Sequence, residues 1–254
     1  MPLSRKKTDG SGKYLYAVIA GSHEQPFGFS GIYGAAVYTV SSRQIVAVVS
    51  DIPDKKIRPE RRHLALHQEV LKRLMEETTP LPMSFGIIAE GVKAVRSILS
   101  LYEEAFLETF QRVGGKVEMG LRVKWDVPHI FDYFVHTHPE LRERRDRLFG
   151  SQCEPTQEDK IELGRMFHHI LNQDREIYTE KVEGALNPYC SEIKRNKCRN
   201  ESEVMNLACL VGRETQAEFE AGIFDAASLF DNSFAFDYNG PWAPHNFVDI
   251  DVKL

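Results

Sequence analysis

Residues 116–125 alternate without a break. Val117, Met119, Leu121, Val123 and Trp125 are apolar, and Glu118, Gly120, Arg122 and Lys124 stand between them. Only a strand has a two-residue side-chain period, so this run must be one. One apolar face and one polar face describe a half-solvated strand, the habit of antiparallel sheets. Gly114-Gly115, just ahead of it, ends the preceding element and makes a natural boundary between two halves of the chain.

Strands and helical stripes alternate on both sides of that boundary. Residues 14–20 read as a buried strand, 35–40 and 45–51 as a hairpin closed by 41–44, and 81–89 as a further strand. Between them Leu64, His67, Leu71, Leu74 and Met75 mark a helix over 59–78, and a second stripe from Val92 to Val113 marks one long helix. Beyond the boundary, Asp126 caps a helix with Pro128 in its first turn, and 139–149 is a charged segment. Thr156 with Asp159 forms a capping-box pattern. The helix it opens extends to about Leu186, roughly 45 Å, long enough to project as an arm. A basic loop comes next (Lys194, Arg195, Lys197, Arg199), then a strand over 203–211 and a helix over 214–230.

This order predicts an α+β fold of two domains, each a small mixed sheet with helices packed on one face. The second is an elaborated split β-α-β unit, with ferredoxin-like character and a long helix. The expected division is a disordered tail at 1–13, domains at 14–115 and 116–238, and a C-terminal tail at 239–254. A chain of 254 residues with 42% hydrophobic and 27% charged residues has room for two packed cores.

The C-terminal segment carries the most distinctive pattern. Phe234, Phe236 and Tyr238 alternate with Ala235 and Asp237, Asn239-Gly240 breaks the strand, and Pro241 and Pro244 stiffen the residues beyond it. Trp242 and Phe247 sit on that stiff segment, where a large aromatic is usually seated in a pocket. An intramolecular lock by Trp242 is the favoured reading, and docking on a partner the other. A second segment, 26–34, is rich in glycine and aromatics. Its Phe27, Phe29, Ile32 and Tyr33 are either folded inward or offered to an apolar partner.

Chemistry-bearing patterns are weak. His63 and His67 stand one helical turn apart, but the glutamate of the H-E-x-x-H motif is missing and no third ligand is evident, so packing histidines are expected. His136 with His138, and the adjacent His168 and His169, read as structural or surface residues. Gly28, Gly31 and Gly34 have the wrong spacing for a phosphate loop and precede a strand. Cys153, Cys190, Cys198 and Cys209 match no zinc pattern, and Cys209 reads as a core thiol. No catalytic, metal or cofactor residue is assigned.

A net charge of −5 gives no bulk attraction to nucleic acid, and the mixed-sign run 140–147 is no basic stripe. No apolar run approaches the roughly 18 residues of a membrane span, and the basic N-terminus lacks a signal-peptide core. A cytosolic protein with reduced thiols is expected.

Taken together, YLYAVIA (14–20), HLALHQEVLKRLM (63–75), LPMSFGIIAEG (81–91), VEMGLRVKWD (117–126) and above all NGPWAPHNFV (239–248) resemble the gas vesicle protein F/L family, with a lean towards the F branch. The resemblance covers nearly the whole chain after the N-terminal tail. It implies a minor protein needed to form gas vesicles, the hollow protein-walled organelles that give aquatic microbes buoyancy. It implies partners: the small, very hydrophobic main gas vesicle shell protein and other minor vesicle proteins. It implies no enzymatic activity, no cofactor, and a place in the cytoplasm before assembly and at the vesicle after it. Candidate partner-contact or tail-anchoring residues are Phe27, Phe29, Tyr33, Gly240, Pro241, Trp242 and Phe247. Two other functions compete with this one: a histidine-based metal enzyme and a small-ligand sensor built on the ferredoxin-like domain.

Overall fold

A computed structural model describes residues 12–53, 56–150 and 154–252. Most of the expected N-terminal tail, and Cys153, lie outside them; Gly12 and Lys13 do not belong to a tail but open the first strand. The chain divides into two compact units, Met1–Glu118 with Pro241–Leu254, and Met119–Gly240. The first division therefore falls a few residues after Gly114-Gly115. The segment beyond Gly240 belongs with the N-terminal unit.

The first unit is built on an antiparallel sheet in the order β2-β3-β4-β1-β5, with β6 also on β1. Its strands are β1 (Gly12–Ala20), β2 (Pro26–Ser30), β3 (Ala36–Ser42), β4 (Ile45–Ile52), β5 (Leu81–Pro82) and β6 (Ile88–Ala89), and its helices α1 (Arg61–Met75), α2 (Gly91–Leu101) and α3 (Glu103–Val113). β1 and β4 pair from Gly12↔Ile52 to Ala20↔Ile45, with a bulge between Leu15 and Ala17. Consecutive residues of both are buried, Tyr14–Val18 and Ile45–Val49 included, so both faces of this sheet are covered rather than one.

Three elements differ from the sequence expectation. Segment 26–34, expected as a loop, contains β2 and a single 3-10 turn. The strand expected over 81–89 makes only two short contacts with β1, Ala17↔Pro82 with Val18↔Leu81, and Lys13↔Ala89 with Tyr14↔Ile88. The residues between them loop out through Gly86, whose φ of 93° needs glycine. The long helix over 92–113 kinks at Tyr102 (φ −106°, ψ 13°). No proline or glycine is there; the two halves follow different strands, α2 along β1, β3 and β4, and α3 along β4 and β5.

The second unit contains a sheet in the order β10-β7-β9-β8. Its elements run β7 (Lys116–Trp125), α4 (Ile130–Thr137), α5 (Pro139–Phe149), α6 (Gln157–Leu186), β8 (Glu192–Asn196), β9 (Glu203–Gly212), α7 (Gln216–Ser228) and β10 (Phe234–Trp242). The end of β7 meets the start of β9 (Trp125 N–H to Ser202 O, 2.8 Å) and the start of β10 (Asp126 N–H to Ser233 O, 2.7 Å), so its neighbours are antiparallel to it. Helices connect β7 to β8 and β9 to β10, each pair with one strand between its members in the sheet, which is the split β-α-β pattern the sequence predicts.

Asp126 is used in that ladder and not as a cap; α4 begins at Ile130 with His129 before it. The capping box at Thr156 and Asp159 forms, and α6 has 30 residues. It does not project as an arm. Buried residues recur from Leu163 through Phe167, Leu171 and Val182 to Leu186, so it is packed over that span. β7 keeps its alternation, but Glu118 is only 6% exposed, so its polar face is not simply solvated. The basic loop is partly strand β8, and Arg195 there bridges Glu176 and Glu183 of α6 at 2.6 Å each. Cys209 is fully buried, as expected for a core thiol.

Candidate functional site

The Tyr14 and Tyr16 rings of β1 lie 4.8 Å apart, the second at the bulge, and both pack on His67 of α1 at 5.7 Å. The Tyr14 hydroxyl lies 2.9 Å from His67 Nδ1 and accepts the Gly86 N–H at 3.2 Å. The Tyr16 hydroxyl lies 2.8 Å from Ser50 Oγ and accepts the Ile32 N–H at 2.8 Å. Both tyrosines are fully buried, and the bonds offset the cost of burying their hydroxyls. The loop passes so close that a Cβ on Gly31 would sit 2.1 Å from the Tyr16 hydroxyl. Gly31 is thus a packing glycine, not part of a phosphate cradle.

The two helix histidines belong to this core. Burial pushes His67 from 6.5 down to about 4; the nearby His245 acts the same way and a hydrogen bond with the Met83 backbone opposes them. His67 is therefore neutral near pH 7. His63 donates from Nδ1 to the Arg58 carbonyl at 3.0 Å. Among the described residues, no three His, Cys, Asp or Glu side chains come together to hold an ion. His138 instead meets Asp174 at 3.4 Å, and His168 meets Glu201 at 3.3 Å.

The two aromatic segments singled out in the sequence lie along different sides of α1. Arg73 faces one and Gln68 the other, about 140° apart around the helix at roughly 100° per residue. On the Arg73 side, the Phe27 and Phe29 rings sit 5.4 Å apart on β2. The Arg73 guanidinium lies 5.1 Å from the Phe29 ring while bonding Glu69 at 3.0 Å. These side chains line a groove of about 540 Å3 together with Ile19, Ala20, Leu74 and the charged side chains of the C-terminal turns of α1. Phe27 and Phe29 are half-buried. Tyr33 is 48% exposed with its ring edge-on to His63, and its φ of +58° is a conformation that costs a non-glycine residue about a kilocalorie or more.

On the other side lies the C-terminal segment. Asn239-Gly240 does not break β10; with Gly240 at φ 131° the strand runs on to Trp242. Pro241 is exposed and Trp242 is 45% exposed, whereas Phe247 is completely buried. The expected lock by Trp242 is thus supplied by Phe247, whose carbonyl also accepts from Arg112 Nη2 at 2.6 Å. Next to it, Asn246 gives its backbone N–H to Glu118 Oε2 (2.7 Å) and its side-chain amide to Oε1 (2.6 Å). Both oxygens of a buried carboxylate are engaged, which explains why Glu118 interrupts the polar face of β7. Nothing local marks this clamp in the sequence, because its two halves are 128 residues apart.

The described residues thus form a two-unit α+β protein with one ferredoxin-like sheet and a C-terminal strap clamped onto the first unit. The model of the Gas vesicle synthesis protein GvpL/GvpF family matches residues 12–249, and the chain belongs to that family. Among its relatives, gas vesicle protein F of Dolichospermum flosaquae is 23% identical over 241 residues, covering 94% of this chain and 98% of that one. Gas vesicle protein F of a Streptomyces strain (CB03234) is 27% identical, covering 93% and 99%. The crystal structure of GvpF from Anabaena sp. PCC7120 matches with a TM-score of 0.82 at 24% identity over 95% of this chain and 99% of that one. GvpF from Microcystis aeruginosa gives 0.79 at 22%, over 94% and 99%. The fold of these structures is the fold found here, and the chain is a gas vesicle protein. No helix among the described residues is long and apolar enough to cross a membrane.

Proposed function

We propose that the chain is an F-type accessory protein of gas vesicle formation that binds the main shell subunit before assembly, keeps it from aggregating and hands it to the growing wall. The observation that carries this reading is the reach of the family match, residues 12–249, in a family described by vesicle synthesis. The physical task is specific. A subunit destined for a gas-facing wall exposes apolar surface and strand edges until it is incorporated, and such surfaces aggregate. A protein offering half-buried aromatics beside an open groove can cover them. Action by contact requires no catalytic group, and other minor vesicle proteins are further partners.

Co-expression with the main shell subunit, affinity purification and crosslinking mass spectrometry test the proposal. A soluble complex with crosslinks in the first unit is expected. Failure of the shell subunit to co-purify, together with normal vesicles in cells lacking this protein, refutes it.

A further inference from the structure

We infer that β8 is a self-pairing edge: two copies of this chain join antiparallel through it about a two-fold axis at Ile193, setting Glu192 of each copy against Lys194 of the other. This goes beyond the shell-subunit reading and stands or falls apart from it.

The backbone of β8 is fit for pairing where the other long terminal strands are not. β8 is the last strand of its sheet, and no described strand lies on its far side. Its five residues, EIKRN, face β9 in unbroken register from Glu192↔Leu210 to Asn196↔Asn206. They include no proline or glycine, and none has a positive φ. By contrast, β2 has Pro26, Gly28 at φ 70° and a register shift, and β10 carries Gly240 at φ 131° followed by Pro241. Proline and such glycines spoil an edge for a further strand. β8 presents about 16 Å of regular edge at roughly 3.3 Å per residue.

Charge then selects the partner and the register. Charged residues on an edge normally keep other strands away, but the order of signs along β8 admits one pairing with itself. Facing residues of an antiparallel pair share a face of the sheet, so the axis of a symmetric pair passes through one residue. A centre on Glu192, Lys194 or Arg195 sets like charges face to face, and a centre on Asn196 sets Arg195 against Lys197. A centre on Ile193 brings two half-buried isoleucines together and sets Glu192 against Lys194 twice. In the same register Arg195, which is turned to Glu176 and Glu183 of α6, meets only the small Ser191 of the second copy. Glu192 and Lys194 already make contacts within the chain, so their cross-strand pairs choose the register and the added ladder supplies the attraction.

Such a dimer carries two copies of each contact surface, which lets one particle engage repeated subunits of a wall by avidity.

The test is sedimentation velocity on the full chain from about 10 to 200 μM, since so short an edge makes a small, weak interface. The wild type should show a monomer–dimer equilibrium. Glu192→Lys and Lys194→Glu each put like charges opposite one another twice, and each should weaken dimerisation at least about tenfold. Glu192→Lys/Lys194→Glu restores opposite charges and should return to within about threefold of wild type. Melting temperatures measured on dilute samples check that each variant is folded. On the wild type alone, hydrogen exchange should show the 192–196 amides gaining protection as concentration rises.

A wild type that stays monomeric throughout overturns the inference. So does a dimer whose 192–196 amides gain no protection, or one that folded single variants form as tightly as wild type. A folded double variant that remains as weak as the single ones overturns the register at Ile193.

Discussion

Replacing Phe247 by alanine is the sharpest test of how the C-terminal segment is held. Phe247 is fully buried and follows the buried Ala243 and Pro244, whereas Gly240, Pro241 and Trp242 before them are exposed. A buried phenylalanine removes roughly 150–250 Å2 from water, which at about 25 cal/mol per Å2 is roughly 4–6 kcal/mol as an upper bound. Measured Phe→Ala changes in cores fall at about 3–5 kcal/mol, cavity included, and we expect Phe247→Ala in that range. Trp242 is larger but 45% exposed, and its removal opens a surface notch and no closed cavity. Trp242→Ala should cost only about 1–2 kcal/mol. At roughly 2–4 °C per kcal/mol, Phe247→Ala should lower the melting temperature by about 6–20 °C and Trp242→Ala by a few degrees. Differential scanning calorimetry is the assay, since two units can unfold in separate transitions. The shift should fall on the transition of the first unit. If Trp242→Ala destabilises as much as Phe247→Ala, the assignment of the lock to Phe247 is wrong.

The other substitutions probe the polar core and the clamp. Glu118→Ala leaves the Asn246 N–H without its acceptor and should cost about 1–3 kcal/mol; combined with Asn246→Ala it should be far from additive in a urea double-mutant cycle, whereas additivity would deny the clamp. Gly31→Ala drives a Cβ into the Tyr16 hydroxyl and should destabilise by more than about 2 kcal/mol, with partial rescue by Tyr16→Phe; no rescue would place the strain elsewhere. His67 is a base with its folded pKa depressed from 6.5 to about 4, so the unfolded chain takes up the proton first as pH falls. Its contribution is complete above about pH 6.5 and is lost between 6.5 and 4, about 2 kcal/mol of it by pH 5 at roughly 1.4 kcal/mol per unit. His67→Gln should flatten the urea midpoint against pH in that window, and an unchanged slope relative to wild type would refute the burial argument.

Local periodicity carries much of this fold, and it does so where one force dominates. The alternation of 116–125, the helix α1 and the Thr156 capping box each depend on neighbours in the chain and each forms, although Leu64 of the expected α1 stripe is 41% exposed and Glu118 of the polar strand face is buried. Misreadings arise where a distant partner decides. Asp126 has the chemistry of a cap, but the strand ladder reaches it and the helix starts only at Ile130, with His129 in the capping position. Asn239-Gly240 has the composition of a turn, yet in a strand glycine can simply take φ 131° and let β10 continue. Trp242 outranks Phe247 by size, but only the packed structure shows which ring finds a cavity. The candidate contact residues were legible as a set of aromatics. Their relation to α1 was not, because no periodic pattern links residues 26–34 or 241–247 to residues 63–77.

That shared helix makes stability and docking separable. The C-terminal segment is tied down by a buried ring, an arginine on its backbone and a carboxylate clamp. Segment 26–34 keeps two aromatics half-buried over an open groove and a third on the surface in a costly backbone conformation. A ring already seated in its own core has little left to gain from a partner, whereas a half-covered ring gains the remainder of its transfer free energy on contact. Damage to the clamp should therefore show as lower melting temperature with binding lost only when the unit unfolds. Damage to Phe27 and Phe29 should show as lost binding at nearly constant melting temperature. Measuring both quantities on both sets of variants separates scaffold from contact surface. A Phe27→Ala/Phe29→Ala chain that melts early would assign those rings to the scaffold and leave the docking surface to be sought elsewhere.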